Sequence, residues 1–168
     1  MSLQQAIRAS RADKGIRQDE FPGYTQQMVS AIERGKRDIA EDMAPVFAEK
    51  LDHPAMYLEL SRKLTGGYGP AWLDGPNVDL HRSSVRERCL DEMREAIDFI
   101  EREPASVLPA VETEADKQRR YEHLVQCFDA IVALNAYIGV QCLEYGFSML
   151  KLSKDHYSKL KARRYVQA

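Results

Sequence analysis

Apolar residues recur along most of this chain at steps of three and four, the repeat of a helix with one buried face. Leu3, Ala6, Ile7 and Ser10 share such a face, behind a Ser2-x-x-Gln5 capping box. Lys14-Gly15 predicts its end, a cation in the last turn followed by a left-handed cap. Residues 17–21 read as a stunted second helix, closed by Pro22-Gly23. Thr25 can cap a third helix, with Val29 and Ile32 inside and Gly35 at its close. A fourth is predicted over roughly 38–51, carrying Ile39, Met43, Val46, Phe47 and Leu51 inward. A fifth starts near His53-Pro54 and runs to about Leu64.

The pattern then breaks. LTGGYGPAWLDGPN, residues 64–77, holds Gly66, Gly67, Gly69 and Gly75 with Pro70 and Pro76, a turn-rich connector. Its Tyr68 and Trp72 predict that it packs on something. Helical spacing resumes with Val85, Cys89, Met93, Ile97 and Ile100 behind a Ser84-x-x-Glu87 box, and Pro104 stops it. Residues 104–112 connect to a long helix, capped by Thr113 and Asp116, whose stripe is Tyr121, Leu124, Phe128, Ile131, Asn135, Ile138 and Cys142. Val125, Val132, Leu134 and Val140 widen that stripe until the helix is apolar nearly all round, and such a helix is covered on several sides. In so small a domain one cover is most simply a second copy of the chain. Ser153 could cap a last, basic helix ending near Val166. No strand signal emerges. The expectation is an all-α chain: residues 1–63 as one domain, 64–80 as connector, 81–168 as a helical oligomerisation domain.

Composition adds exclusions. The 168 residues are 44% hydrophobic and 30% charged with net charge −2, ordinary for a globular protein. Residues 1–63 carry ten Lys/Arg against ten Asp/Glu, so any nucleic-acid footprint must come from local sorting of charge. Arg34-Gly35-Lys36-Arg37 is one local concentration and the last eighteen residues are another. Cys89, Cys127 and Cys142 are scattered, as are the four histidines. This predicts reduced cytoplasmic core thiols, no disulfide scaffold and no metal site. The opening MSLQQAIRAS lacks an apolar signal segment. Asp129, Asn135, Gln141 and Glu144 interrupt the most apolar stretch, which argues against a membrane span. There is no Gly-rich phosphate loop, nucleophile elbow or H-E-x-x-H. An enzyme is not expected, nor a cofactor.

The stretches IRASRADKGIRQDEF, TQQMVSAIERGKR and DMAPVFAEKL together resemble the Cro/repressor-like (Xre-type) helix-turn-helix domain of phage repressors and bacterial regulators. The resemblance covers about a third of the chain, residues 3–62. It implies a five-helix domain whose third helix enters the major groove of double-stranded DNA. It further implies that Gln18 holds a phosphate and that Arg11 and Glu33 form an internal ion pair locking the first helix to the third. The chain departs from the family between Gln18 and Thr25, where about three residues are missing from the end of helix 2. Phe21 and Tyr24 are expected to fill that volume.

The residues carry a reading of their own. A glutamine amide donates and accepts at once, matching adenine in the major groove. Gln26 and Gln27 sit in the first turn of the third helix and Ser30 one turn on; these are the candidate base readers, with Thr25 at the cap near phosphate. Lys36 and Arg37 can neutralise phosphates. Each also has a plainer reading: a solvated helix face for the glutamines and Ser30, a solvated turn for RGKR, core filling for the cysteines. Asn135 reads as a register-setting polar group within a dimer seam of Phe128, Ile131 and Ile138. The expected function is a sequence-specific transcriptional regulator acting as a cytoplasmic homodimer. The alternative is a degenerate helix-turn-helix used for protein docking, as an antirepressor or assembly partner.

Overall fold

A computed structural model describes residues 1–104 and 107–167, and the fold is all-α. Seven α-helices and three single 3₁₀ turns occupy the described residues. Two compact units divide the chain: one contains Met1–Asp74 together with Gln141–Ala168, the other Gly75–Val140. Where the sequence places 81–168 together, the structure groups the last residues with the first.

In the first unit, α1 (Leu3–Asp13) begins with the expected capping box, Ser2 accepting from the Gln5 amide while Gln5 accepts from Ser2 N–H. Gly15, at φ 64°, closes it in the left-handed conformation that glycine adopts without steric cost. The stunted helix is a single 3₁₀ turn, Gln18–Glu20. Phe21 to Tyr24 then form a tight turn, with Tyr24 N donating to Phe21 O at 3.1 Å and Gly23 at φ 74°. Proline then glycine at its centre is the sequence that this turn geometry selects. α2 (Gln26–Glu33) buries Val29 and Ile32.

The expected helix over 38–51 begins later. Glu41–Met43 is a 3₁₀ turn and α3 spans Ala44–Leu51. Pro45 explains the shift, because proline is accommodated in a first turn and disrupts a helix interior. α4 (Pro54–Leu64) follows, its first turn capped by His53, whose Nδ1 accepts from Ala55 N at 3.2 Å. The core joins Leu3 and Ile7 of α1 to Phe21, Val29, Ile32, Phe47, Leu51 and Met56. Phe21 stacks on Phe47 at 4.3 Å between ring centroids, and Tyr24 meets Phe47 edge-on at 5.1 Å. The Tyr24 hydroxyl accepts from Ala40 N at 3.3 Å. Two aromatic rings therefore occupy the space beside the shortened segment. In the connector Trp72 is buried, edge-on to His53, while Tyr68 is exposed.

The last helix, α7 (Met149–Ala162), also belongs to this unit. Its cap is Ser148, accepting from Lys151 N at 3.0 Å, and not Ser153. Gly146, at φ 67°, ends the preceding helix, and the chain turns straight into the next. Asp52, at φ 34°, accepts from Leu150 N and from the Tyr57 hydroxyl, both at 3.1 Å.

In the second unit α5 (Arg82–Arg102) starts before the expected Ser84 box. His81 caps it, and the Ser84 hydroxyl instead donates to Asp79 at 2.5 Å. Val85, Cys89 and Ala96 are buried, but Ile97 and Ile100, expected inside, are exposed. Asp91 is exposed and pairs with Arg94, while the half-buried Glu92 pairs with Arg88. Of the connector expected over 104–112, residues 105 and 106 lie outside the described residues. The long helix α6 (Glu114–Tyr145) has the expected box, with Thr113 N–H donating to Asp116 and Asp116 N–H to Thr113 Oγ1. Arg120 pairs with Glu103 at 3.1 Å and also with Glu112, and His123 contacts Glu103 while stacking on Phe99 at 4.7 Å. By length and composition α6 could cross a bilayer, and 28% of its most apolar window is buried. A core or interface helix meets the same two criteria. Cys89 and Cys142 are buried and Cys127 half-buried, all three as free thiols.

Burial holds the His53 imidazole below its ordinary value of 6.5, the Asp13 carboxylate opposing and the Lys14 ammonium assisting. The unfolded chain therefore takes up this proton first as pH falls. Stability from this group is complete above pH 6.5 and declines below it, until the folded-state value is reached. Urea unfolding midpoints measured from pH 7.5 to 5 should fall in the wild type. In His53→Asn, which keeps a capping acceptor, that part of the slope should vanish.

Candidate nucleic-acid interface

The expected ion pair is present. Arg11 Nε lies 2.5 Å from Glu33 Oε1 and its Nη2 3.3 Å from Oε2, a two-point contact between the end of α1 and the end of α2. Arg11 Nη1 also donates to Ile16 O at 2.8 Å, so one guanidinium ties both helices to the intervening loop. Gln18 completes the group, its amide donating to Glu33 Oε2 at 2.7 Å. The Glu33 side chain is 5% exposed and that of Arg11 19%. At that depth the pair is weakly screened, and each partner depends on the other to offset its lost hydration. Gln18 is thus committed within the protein through its amide nitrogen. That bond uses one of the two amide N–H groups and leaves the other able to donate, while in the 3₁₀ turn Glu20 N–H donates to Arg17 O at 3.2 Å.

Thr25 caps α2, its hydroxyl accepting from Met28 N at 3.2 Å. Gln26 and Gln27 follow in the first turn and are exposed. Ser30 is half-buried, and its carbonyl accepts from Arg34 Nε at 3.1 Å. Beyond the helix Lys36 and Arg37 are exposed and have no carboxylate partner among the described residues. Lys36 N donates to Ala31 O at 2.9 Å with Gly35 at φ 69°, so the basic turn is a fixed helix cap and not a loose loop. Asp38, the next residue, is engaged by Lys63. Arg11, Arg17, Gln18, Asp19 and Gln26 line an open cleft of about 440 Å³ beside the start of α2. Arg17 is absent from the sequence expectation; it projects there, shared between Asp19 and Glu20 at 3.2 and 3.1 Å.

The structure thus brings Arg11, Gln18, Glu33, Thr25, Gln26, Gln27 and Ser30 to one region of the first unit, with Lys36 and Arg37 at the far end of the same helix. The dimer-seam candidates lie in the second unit. There Phe128 and Ile131 are exposed, while Asn135 and Ile138 are half-buried. Asn135 Nδ2 donates to Ile131 O at 2.9 Å, one turn back along α6. No three His, Cys, Asp or Glu side chains among the described residues could together hold a metal ion.

Comparisons with protein-family models, with curated proteins and with solved structures found no match to this chain.

Removing Arg11 strands a buried carboxylate. Arg11→Ala should cost about 3 kcal/mol, the scale for breaking a buried pair from one side. Arg11→Ala with Glu33→Ala should recover part of that loss, because no uncompensated charge remains. Urea denaturation of the two single variants and the double variant gives the coupling. Additive losses would show that the pair contributes nothing beyond its separate contacts.

Proposed function

We propose that this protein is a sequence-specific, double-stranded DNA-binding regulator of the Cro/repressor-like type, acting as a cytoplasmic homodimer. The observation that carries the reading is the presentation of α2. A capped helix offers two exposed glutamines from its first turn, held at a fixed angle by a buried ion pair. At its other end stand two cations with no carboxylate partner among the described residues. The glutamines can read base edges in the major groove, while Lys36 and Arg37 meet phosphates without regard to sequence.

The homodimer rests on α6. Tyr121, Leu124, Phe128 and Ile131 recur at coiled-coil spacing and stand 64%, 57%, 46% and 42% exposed. A row of large apolar side chains at that spacing is the seam of a helix–helix interface. Two half-sites read by one dimer combine contacts that are individually worth about 1–3 kcal/mol.

Protein docking is favoured by a different observation, the reduction of helix 2 to one 3₁₀ turn in a domain of balanced charge. Selection of bound sequences from random duplex DNA separates the two readings. Enrichment of a two-fold symmetric site supports the regulator; recovery of random sequence alone favours docking.

Gln27→Ala should relax preference at one or two base pairs of each half-site and leave the salt dependence intact. Lys36→Ala should weaken selected and random duplexes alike and reduce the salt slope by about 0.9. Binding titrations at several salt concentrations distinguish these outcomes. Equal effects of both variants on both duplexes would count against the assignment.

Ile131→Asp places a carboxylate in the proposed seam. The residue is partly exposed in one chain, so the variant should fold as a monomer. Light scattering and circular dichroism together test this, and a dimer of unchanged mass would remove α6 from the interface.

A further inference from the structure

We propose that α7 is a second phosphate-contacting surface, lengthening the DNA footprint of the helix-turn-helix unit through Lys154, Lys161 and Arg164. This rests on the DNA-binding reading above. The first support is position. Asp52, between α3 and α4, receives the backbone N–H of Leu150 in the first turn of α7. Burial opposes ionisation of Asp52, but hydrogen bonds from Ser148, Leu150 N–H and Tyr57 outweigh it and hold the carboxyl below its usual range. The helix is therefore seated on an anion at its positive end. A cleft lined by Asp13, Lys14 and Ser148 adjoins this seat, while Arg11 and Arg17 line the cleft that contains Gln26. The last turn of α1 and the loop after it thus border both the start of the recognition helix and the start of α7.

The second support is charge. Residues 1–74 hold ten Lys/Arg against eleven Asp/Glu, and 141–168 hold six against two, so the unit they form carries +3. Residues 75–140 carry eight against thirteen, or −5. A chain that is mildly acidic overall is sorted into one basic and one acidic unit, and the tail makes the difference. Lys151 is occupied by Asp155 at 2.6 Å, and Lys161 lies over the Tyr157 ring at 5.1 Å. Lys154, Lys159, Arg163 and Arg164 have no carboxylate partner among the described residues. Lys154 and Lys161 share a face about 10 Å long, the rise of roughly three phosphates along one strand.

The third support is backbone conformation. α1, α2 and α6 each end with a glycine at positive φ and a hydrogen bond from the following residue back to the last turn. α7 ends in the same way, Tyr165 N donating to Leu160 O at 3.0 Å, but the residue at φ 59° is Arg164. Glycine would hold that position without strain; the chain holds a cation there instead. An anionic membrane is the other surface a basic amphipathic helix could meet. The apolar face is only partly covered, with Met149, Leu150 and Leu160 half-buried within their own unit and Leu152 and Tyr157 exposed, so a vesicle arm belongs in the test.

The test is fluorescence anisotropy of the full chain on a selected and a random duplex across a range of KCl concentrations. Lys154→Gln with Lys161→Gln should lower the log–log salt slope by about 0.9 for each phosphate no longer neutralised, about 1–2 in all, equally on both duplexes. Base preference should be unchanged. Arg164→Gly should weaken binding in the same sense while its melting temperature stays level or rises, a combination that a purely structural role for Arg164 would not produce. A Lys154→Gln, Lys161→Gln variant with the wild-type slope overturns the proposal and leaves the recognition helix untouched. So does wild-type binding to phosphatidylserine vesicles that duplex DNA fails to displace. If the wild type binds no duplex at all, the regulator reading falls and this one with it.

Discussion

Arg11 is the residue on which the geometry of the first unit depends. Its guanidinium contacts the carboxylate of Glu33 at two points and the carbonyl of Ile16 at a third. Those acceptors belong to α2 and to the loop that precedes the 3₁₀ turn. Fixing them together sets the angle at which α2 leaves the core, and hence where Gln26 and Gln27 project. Lysine could not substitute, because a compact ammonium on a flexible stem lacks the planar fork that satisfies divergent acceptors at once. Gln18 adds a donor to the same carboxylate. The cluster therefore supplies direction as well as stability: apolar packing of Val29 and Ile32 fixes which face of α2 is buried, and the ion pair restricts how it can pivot about that face.

The single 3₁₀ turn before α2 raises the demand on this cluster. A longer helix at this place would itself brace α2 through side-chain packing. Here a 3₁₀ turn of three residues stands in its place. Phe21 supplies the missing support by stacking on Phe47, and Tyr24 closes the remaining side edge-on. Aromatic rings suit this task because each fills a large volume with few rotatable bonds. The Pro22-Gly23 turn places both rings on Phe47.

Much of this was legible in the sequence because it is local. Ser2 with Gln5, Thr25, Thr113 with Asp116, and the glycines at 15 and 35 all mark helix ends through interactions spanning a few residues. The ion pair was legible through resemblance alone, since nothing in the spacing of Arg11 and Glu33 reveals a contact across 22 residues. The errors share a cause. Placing helix start at 38 gave hydrophobic period more weight than Pro45, although proline decides the first turn. Placing Ser84 and Ser153 at caps relied on residue type where competing acceptors, His81 and Ser148, lie a few residues earlier. Ile97 and Ile100 have the period of a buried stripe, but period reports that a face is apolar and not what covers it.

The grouping of α7 with the first unit had no sequence signal, because the tie that holds it joins Asp52 to Leu150 across 98 residues. Yet that tie changes the electrostatics more than any local motif does. Without its tail the first unit would be slightly acidic, with ten Lys/Arg against eleven Asp/Glu, a weakly repulsive background for any polyanion. With the tail seated, the unit carries a net charge of +3, and on the proposed function that charge would steer a polyanion toward it before any base is read. The acidic second unit has the opposite tendency. Its net charge of −5 would oppose association with a polyanion, and the exposed apolar row of Tyr121, Leu124, Phe128 and Ile131 lies in this same unit. Sorting of charge between two units thus achieves what net composition does not: one chain of charge −2 whose two parts are suited to different surfaces.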